Sequence, residues 1–274
     1  WWAPSKLREV VEAFEKNPDI GAVGHGYYRV DLINQKLESV VPERTCRLTL
    51  NNAAGARCFM ALGGFLAPSM LAVRKRILDR IPPVPQELIF CGDAFIYTLA
   101  VAIGGAVVLD RPLSYYCVHG QNLFQTTDPE RLRRRSEMTD RCWRELLPWL
   151  SKLGLARDAN SMLTLAWRLD SEARCLSRQG GKRWRTFQNE RARRRLAYRG
   201  GSLGYKVFKA LSLGLTLLVP PPRFYQLKQW YARKGLGRMR EKLGSPVSAD
   251  LIGIRRHPVE NLPSVLTGEI SVSR

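Results

Sequence analysis

The sequence predicts an α/β domain with a partial mixed sheet over residues 1–127, then a basic, mostly helical extension over 128–243 and a flexible tail over 244–274. Three observations predict it. Helix-type and strand-type apolar patterns alternate as far as residue 118. Beyond residue 130 the apolar spacing is helical. The charge divides at the same place: residues 1–130 carry 13 Lys+Arg against 13 Asp+Glu, whereas residues 131–274 carry 31 against 11, so the whole net charge of +20 lies in the second part. The chain has 274 residues and 45% hydrophobic content, enough for a substantial core, which excludes disorder throughout.

Leu7, Val10, Val11 and Phe14 fall at i, i+3, i+4 and i+7, which predicts a helix over Ser5–Lys16 that ends at Asn17-Pro18. Ile20–Val30 reads as a strand, with Gly21, Gly24 and Gly26 admitting close approach of another backbone or a ligand, or an ordinary bend. Asn34-Gln35-Lys36 suits a turn into a second extended piece reaching Val41. Residues 43–58 carry no clear pattern. Cys58–Phe65 is expected to be extended, and Leu71–Ile81 to enter a short helix that stops before Pro82-Pro83-Val84-Pro85.

The richest stretch is Cys91–Asn122. Asp93 opens a helix over Ala94–Ile103, Gly104-Gly105 stops it, and Ala106–Leu109 and Leu113–Val118 read as short strands around a turn at Asp110-Arg111-Pro112, with His119 closing the unit. A helix followed by strands can return the chain, so the acid and the imidazole can meet at one sheet edge.

After Asp128-Pro129-Glu130, helices are expected over Arg131–Leu150, Ala159–Arg178 and Arg183–Tyr198, then an apolar run Leu203–Val219 before Pro220-Pro221-Pro222. The uncharged stretch Ala210–Pro222 is 13 residues, short of the roughly 20 a bilayer-spanning helix needs. Tyr205, Phe208, Phe224, Tyr225, Trp230 and Tyr231, interleaved with Lys206, Lys209, Arg223, Lys228, Arg233 and Lys234, suit an interfacial helix on an anionic membrane surface. Packing of Leu211–Val219 as core, with the cations as a solvated face, explains the same residues. Nucleic acid is the weaker third reading: Arg193-Arg194-Arg195 and a pI near 10.2 would neutralise phosphates, yet no recognised nucleic-acid module accompanies the charge.

Gly92-Asp93, the hydrophobic helix, Gly104-Gly105 and Asp110-Arg111-Pro112-Leu113-x-Tyr115-Tyr116-x-x-His119-Gly120-x-Asn122 resemble the second half of the catalytic domain of family-two inverting glycosyltransferases, which have the GT-A fold. Three further segments match in order. Trp1-Trp2-Ala3-Pro4-Ser5-Lys6-Leu7 is similar to the segment immediately after the metal-binding Asp-x-Asp motif of that family. Asn17-Pro18-Asp19-Ile20-Gly21-Ala22-Val23 is similar to its next helix-to-strand turn. Gly63-Gly64-Phe65-Leu66-Ala67-Pro68-Ser69, then Leu71-Ala72-Val73-Arg74-Lys75, resembles the loop and strand before the catalytic acid.

The resemblance covers residues 1 to about 125 and implies a nucleotide-sugar donor and a glycan or lipid-linked acceptor. It implies Asp93 as the base that takes the acceptor hydroxyl's proton while the oxygen attacks the anomeric carbon with inversion. It implies His119 as a ligand to a divalent ion that neutralises the leaving diphosphate, Mn²⁺ suiting imidazole better than Mg²⁺. On chemistry alone, an aspartate like Asp93 is more often a helix N-cap and a lone histidine like His119 more often a structural hydrogen-bonding residue. Gly92 stands where relatives carry a second acid, and Leu99 where many carry an Arg. Because no Asp-x-Asp lies within the chain, the nucleotide-binding half and the metal's other ligands are expected upstream of Trp1, which would leave this fragment inactive by itself.

Two tempting motifs fail. Gln179-Gly180-Gly181-Lys182-Arg183-Trp184 has three residues where the Gln-x-x-Arg-Trp signature of processive synthases has two. Gly21-x-x-Gly24-x-Gly26 lies in a strand with no helix behind it. Six scattered cysteines, without Cys-x-x-Cys or zinc spacing, favour a reducing, cytoplasmic location, and the basic aromatic extension is expected to place it peripherally at the inner membrane face. The rival class is a non-catalytic membrane- or polyanion-binding module on an α/β scaffold.

Overall fold

The computed structural model describes residues 1–32, 36–88, 91–119, 122, 128–197, 203–233 and 253–259. Two compact units emerge: Trp1–Leu50, Ala61–Gly154 and Ile252–Arg274 form the first, and Asn51–Met60 with Leu155–Leu251 form the second.

The first unit is α/β. Helix α1 (Lys6–Lys16) turns its Val10 and Ala13 inward and leads into β1 (Ala22–Asp31), which pairs antiparallel with β2 (Lys36–Pro42) in the register Tyr27↔Val40 to Asp31↔Lys36. Next come β3 (Cys46–Leu48), α2 (Ala53–Leu62), a 3₁₀ turn (Gly63–Leu66), β4 (Ala72–Val73) and α3 (Lys75–Leu78). Helix α4 (Gly92–Gly104) stops at Gly105, where φ is +67°, and the chain reverses into β5 (Ala106–Val118). Helix α5 (Pro129–Lys152) packs against α4. The sheet runs β3-β5-β1-β2-β6, where β6 is Ile254–Pro258, and β4 pairs with β1 off this path. Only the β1–β5 pairing is parallel among the described strands.

Several expectations change. Residues 58–66 do not form a strand. They belong to α2 and the 3₁₀ turn because Asn52 Oδ1 accepts from the Gly55 N–H at 2.8 Å and starts an Ala-rich helix. Asp110-Arg111-Pro112 is not a turn but part of one continuous strand, β5. Its partners jump from His25↔Leu109 to Gly26↔Pro112, so the bulge absorbs the two extra residues and the missing proline donor. The unassigned residues 43–58 contain β3. Of the predicted loose tail, residues 253–259 are described and form β6 with its flanks, locked to β2 where Glu43 N donates to Gly253 O at 2.8 Å and Val259 N to Leu37 O at 3.0 Å. The rest of that tail lies outside the described residues, as do Gly120 and Gln121. The compact units do not follow the charge step near residue 127, because α5 belongs to the first unit.

Close approach explains two of the three glycines in β1 and its approach. A Cβ on Gly24 would stand 2.5 Å from the Phe65 carbonyl oxygen, and one on Gly26 would stand 2.7 Å from that of Val40. The strand therefore lies in backbone contact with the 3₁₀ turn on one side and with the β2 edge at the bulge.

The second unit is helical: part of α2, then α6 (Arg157–Gln179), α7 (Arg183–Ala197), α8 (Leu203–Leu218) and α9 (Pro221–Arg233). The prolines that end the apolar run also open α9, since a proline in the first helical turn loses no hydrogen bond. The core joins Ala173 and Leu176 of α6 to Phe224 and Tyr225 of α9, with Leu215 and Val219 packed against it. Asp158 ties two helix starts together, its carboxylate accepting from Ala53 N at 2.8 Å and Ala159 N at 2.9 Å.

Candidate functional site

Asp93 lies in the first turn of α4, behind the flanking residue Cys91 rather than at the cap position itself. Its carboxylate interacts with the backbone N–H groups of Ala94 and of its own residue, yet burial raises its pKa above the ordinary value and outweighs these two donors. No basic side chain pairs with it among the described residues. An unpaired, half-buried carboxylate of this kind is a stronger base than a solvated one.

The surroundings of Asp93 come from α5, which the sequence does not connect to it. Cys142, on the inward face of α5 with Leu146 and Leu150, donates its Sγ–H to the carbonyl of Cys91 at 3.6 Å. Its thiol pKa is raised, first by hydrogen bonding to Cys91, then by burial and by the nearby charges of Asp93 and Glu145. The Tyr97 hydroxyl, one helical turn beyond Asp93, is also raised, chiefly by burial and next by Asp93. Asp93 thus has Tyr97 and Cys142 as neighbours whose pKa values are raised, and spacing in the sequence carries no signal for Cys142. Leu99, where relatives of the resembled family carry Arg, is fully buried core.

His119 follows β5 and is exposed. Asn122 closes the loop around it: the His119 N–H donates to Asn122 Oδ1, the Asn122 N–H to the His119 carbonyl at 3.0 Å, and Asn122 Nδ2 to the Cys117 carbonyl at 3.0 Å. No hydrogen bond or ion pair joins His119 to Asp93 among the described residues. With its bulges, β5 keeps step with the 10 residues of β1 and advances about 33 Å, more than the roughly 20 Å of the 13-residue α4. The strand therefore overshoots the helix, and the reversal at Gly105 does not by itself bring the two residues together. No group of three or more His, Cys, Asp or Glu side chains that could hold a metal ion occurs among the described residues.

A second polar cluster sits on the sheet. His25 in β1 is fully buried, with Nδ1 2.7 Å from the Gly26 carbonyl and Nε2 lacking a partner, and burial lowers its pKa to about 4. Lys6, 5% exposed, donates to the Ser69 carbonyl at 2.8 Å and lies over the Trp2 ring. Burial lowers its pKa to about 8. The Ser114 hydroxyl donates to the same carbonyl at 2.7 Å. Neither Lys6 nor His25 stands out in the sequence, since each is a single polar residue within an apolar pattern.

No family model matches the chain, and no solved structure matches it. An uncharacterized glycosyltransferase of Nostoc sp. (strain PCC 7120) is 25% identical to it over 124 residues, which is 44% of this chain and 37% of the relative. The chain thus spans just over a third of that relative's length, and its similarity reaches a glycosyltransferase at the level of the general class.

Proposed function

We propose that this chain forms part of a nucleotide-sugar-dependent inverting glycosyltransferase of GT-A type, in which Asp93 is the base. The observation that carries the reading is the state of Asp93: half-buried, without a cation, its proton affinity raised by its surroundings. In the reaction, the acceptor hydroxyl oxygen attacks the anomeric carbon, its proton passes to the Asp93 carboxylate, and the nucleotide diphosphate leaves from the opposite face. The protonated neighbours Tyr97 and Cys142 keep the site free of competing anions. The ordered sequence resemblance and the similarity to the Nostoc glycosyltransferase support the same class. The acceptor is a glycan or a lipid-linked sugar. The test is sugar transfer by the protein that carries this chain, wild type against Asp93→Asn. The variant should lose about 10²–10⁴-fold in kcat while donor KM changes little. Wild-type turnover in the variant removes Asp93 from the role.

One observation favours a peripheral membrane location as well. Val207, Leu211, Gly214 and Leu218 of α8 are all exposed and recur at i, i+4, i+7 and i+11, one stripe along the helix, with Leu211 70% and Leu218 74% exposed. Lys206 and Arg223 flank this stripe in sequence, and Trp230 on α9 is 51% exposed. Such a face suits an anionic bilayer surface at the cytoplasmic side. No helix among the described residues is long and apolar enough to cross a membrane. Of the two readings of this segment, packing holds for Leu215 and Val219, which turn inward, and exposure holds for Leu211 and Leu218.

A further inference from the structure

The second unit contains a cavity of about 440 Å³ that neither Asp93 nor the α8 stripe accounts for. Met162 and Leu165 of α6 and Ala192 of α7 supply apolar wall, and Arg57 of α2 with Arg191 and Arg195 of α7 also line it. Its volume is in the range of small-molecule sites, and apolar walls with a few convergent polar groups are what such sites have.

The three arginines set its charge. Arg191 and Arg195 are one turn apart on the same helix, where like charges repel, and Arg57 adds a third positive charge from another helix. On α7, Arg185 pairs with Glu172 at 2.7 Å and Arg193 with Asp170 at 3.2 Å, so these two arginines are neutralised. Among the described residues no carboxylate pairs with Arg57, Arg191 or Arg195. Three arginines without a carboxylate partner among the described residues thus line one largely apolar hollow, while Asp170 and Glu172 of α6 pair with Arg193 and Arg185.

We propose that this cavity binds a phosphate monoester carried on an apolar chain, the arginines holding the phosphate and the chain lying against Met162, Leu165 and Ala192. Guanidinium forks match phosphate oxygens in bidentate geometry, and a monoester carries a charge near −2 with three terminal oxygens for three donors. A carboxylate offers two oxygens and one charge, and inorganic phosphate leaves the apolar wall unused. The site is separate from Asp93, so its failure leaves the glycosyltransferase reading intact, and the reverse.

Isothermal titration of the intact chain with dodecyl phosphate, below its micelle concentration and at physiological salt, tests this. Saturable one-to-one binding is expected, with inorganic phosphate and dodecanol each at least about tenfold weaker, because each lacks one half of the recognition. Arg191→Ala and Arg195→Ala should each weaken binding by about tenfold or more, the cost of a lost charged hydrogen bond. Ala192→Trp should block the cavity, and Arg195→Lys should retain more affinity than Arg195→Ala. The pair Leu211→Ser and Leu218→Ser should leave the affinity unchanged. Circular dichroism confirms the fold of each variant, and if the alanine variants unfold, Arg195→Lys and Ala192→Trp decide the matter. Absence of binding overturns the proposal, as does equal affinity for inorganic phosphate. Binding that survives Ala192→Trp and the arginine changes but is lost with the α8 pair would assign the amphiphile to the α8 face instead.

Discussion

The thiol of Cys142 on α5 donates to the main-chain carbonyl of Cys91, two residues ahead of Asp93 on α4. That contact pins the start of α4 to α5. Cys142 is 2% exposed, so Cys142→Ala leaves a small cavity, while the Cys91 carbonyl keeps its bond from the Phe95 N–H at 3.1 Å, and the change should cost about 1 kcal/mol in urea unfolding. The same change should open Asp93 to water and lower its pKa toward that of a free carboxylate. An unchanged Asp93 titration by NMR in Cys142→Ala would show that α5 does not set the environment of the base.

Asp93 has a pKa raised in the fold, so its linkage sign is the reverse of the usual carboxylate. Below the unfolded value both states are protonated and no charge is buried. As pH rises through the folded pKa, the native state must hold a desolvated carboxylate and stability is lost. Asp93→Asn should therefore raise the melting temperature at pH 7, and the gain should vanish near pH 3. A variant less stable than wild type at pH 7 would mean that the first-turn hydrogen bonds of the carboxylate outweigh its burial.

His25 titrates in the opposite window. Its folded pKa is lowered to about 4 against an ordinary 6.5, so the ring is neutral in both states above pH 6.5. Between pH 6.5 and 4 the unfolded chain binds the proton first, and stability falls by roughly 3 kcal/mol over that range. In His25→Gln this part of the pH dependence should disappear. Parallel stability profiles for wild type and variant between pH 7 and 4 would rule out the neutral buried imidazole.

Gly24 faces the Phe65 carbonyl so closely that a methyl group has no room, and backbone cannot yield as a flexible side chain can. Gly24→Ala should cost about 1–3 kcal/mol, whereas Gly64→Ala, with nothing within 4 Å of the added carbon, should stay within about 0.5 kcal/mol. Chemical denaturation of the two variants side by side gives the comparison. Equal effects would show that the strand and the 3₁₀ turn are not in contact.

Vesicle binding should follow the exposed side of α8. Attraction to anionic vesicles should weaken as salt rises, because the headgroup field is screened over about 8 Å at physiological ionic strength. Leu211→Ser with Leu218→Ser should remove the salt-resistant part of binding without unfolding the protein. Leu215→Ser should instead destabilise the helical core, since Leu215 packs on Phe224 and Tyr225. Flotation with no preference for anionic over neutral vesicles at low salt would exclude a membrane role for this face.

Local pattern suffices for the elements whose apolar period is long and whose ends are punctuated. The helix behind Asp93, stopped by Gly104-Gly105, the strands on either side of residues 33–35 and the long helices after Pro129 are all written in periodicity and turn chemistry. Ordered motif similarity, rather than periodicity, singles out Asp93. Where pattern is silent, packing settles the outcome. Residues 58–66 are helical because caps from Asn52 and Asp158 outweigh a pattern that fits strand equally well. Asp110-Arg111-Pro112 stays in the sheet because pairing with β1 along both flanks makes a bulge less costly than a turn. Cys142, which is near enough for the Asp93 charge to raise its thiol pKa, lies nearly fifty residues away, and the three arginines that line the cavity come from two helices far apart in the chain. Long-range packing sets a side chain's dielectric and its charged neighbours, and no local periodicity encodes that.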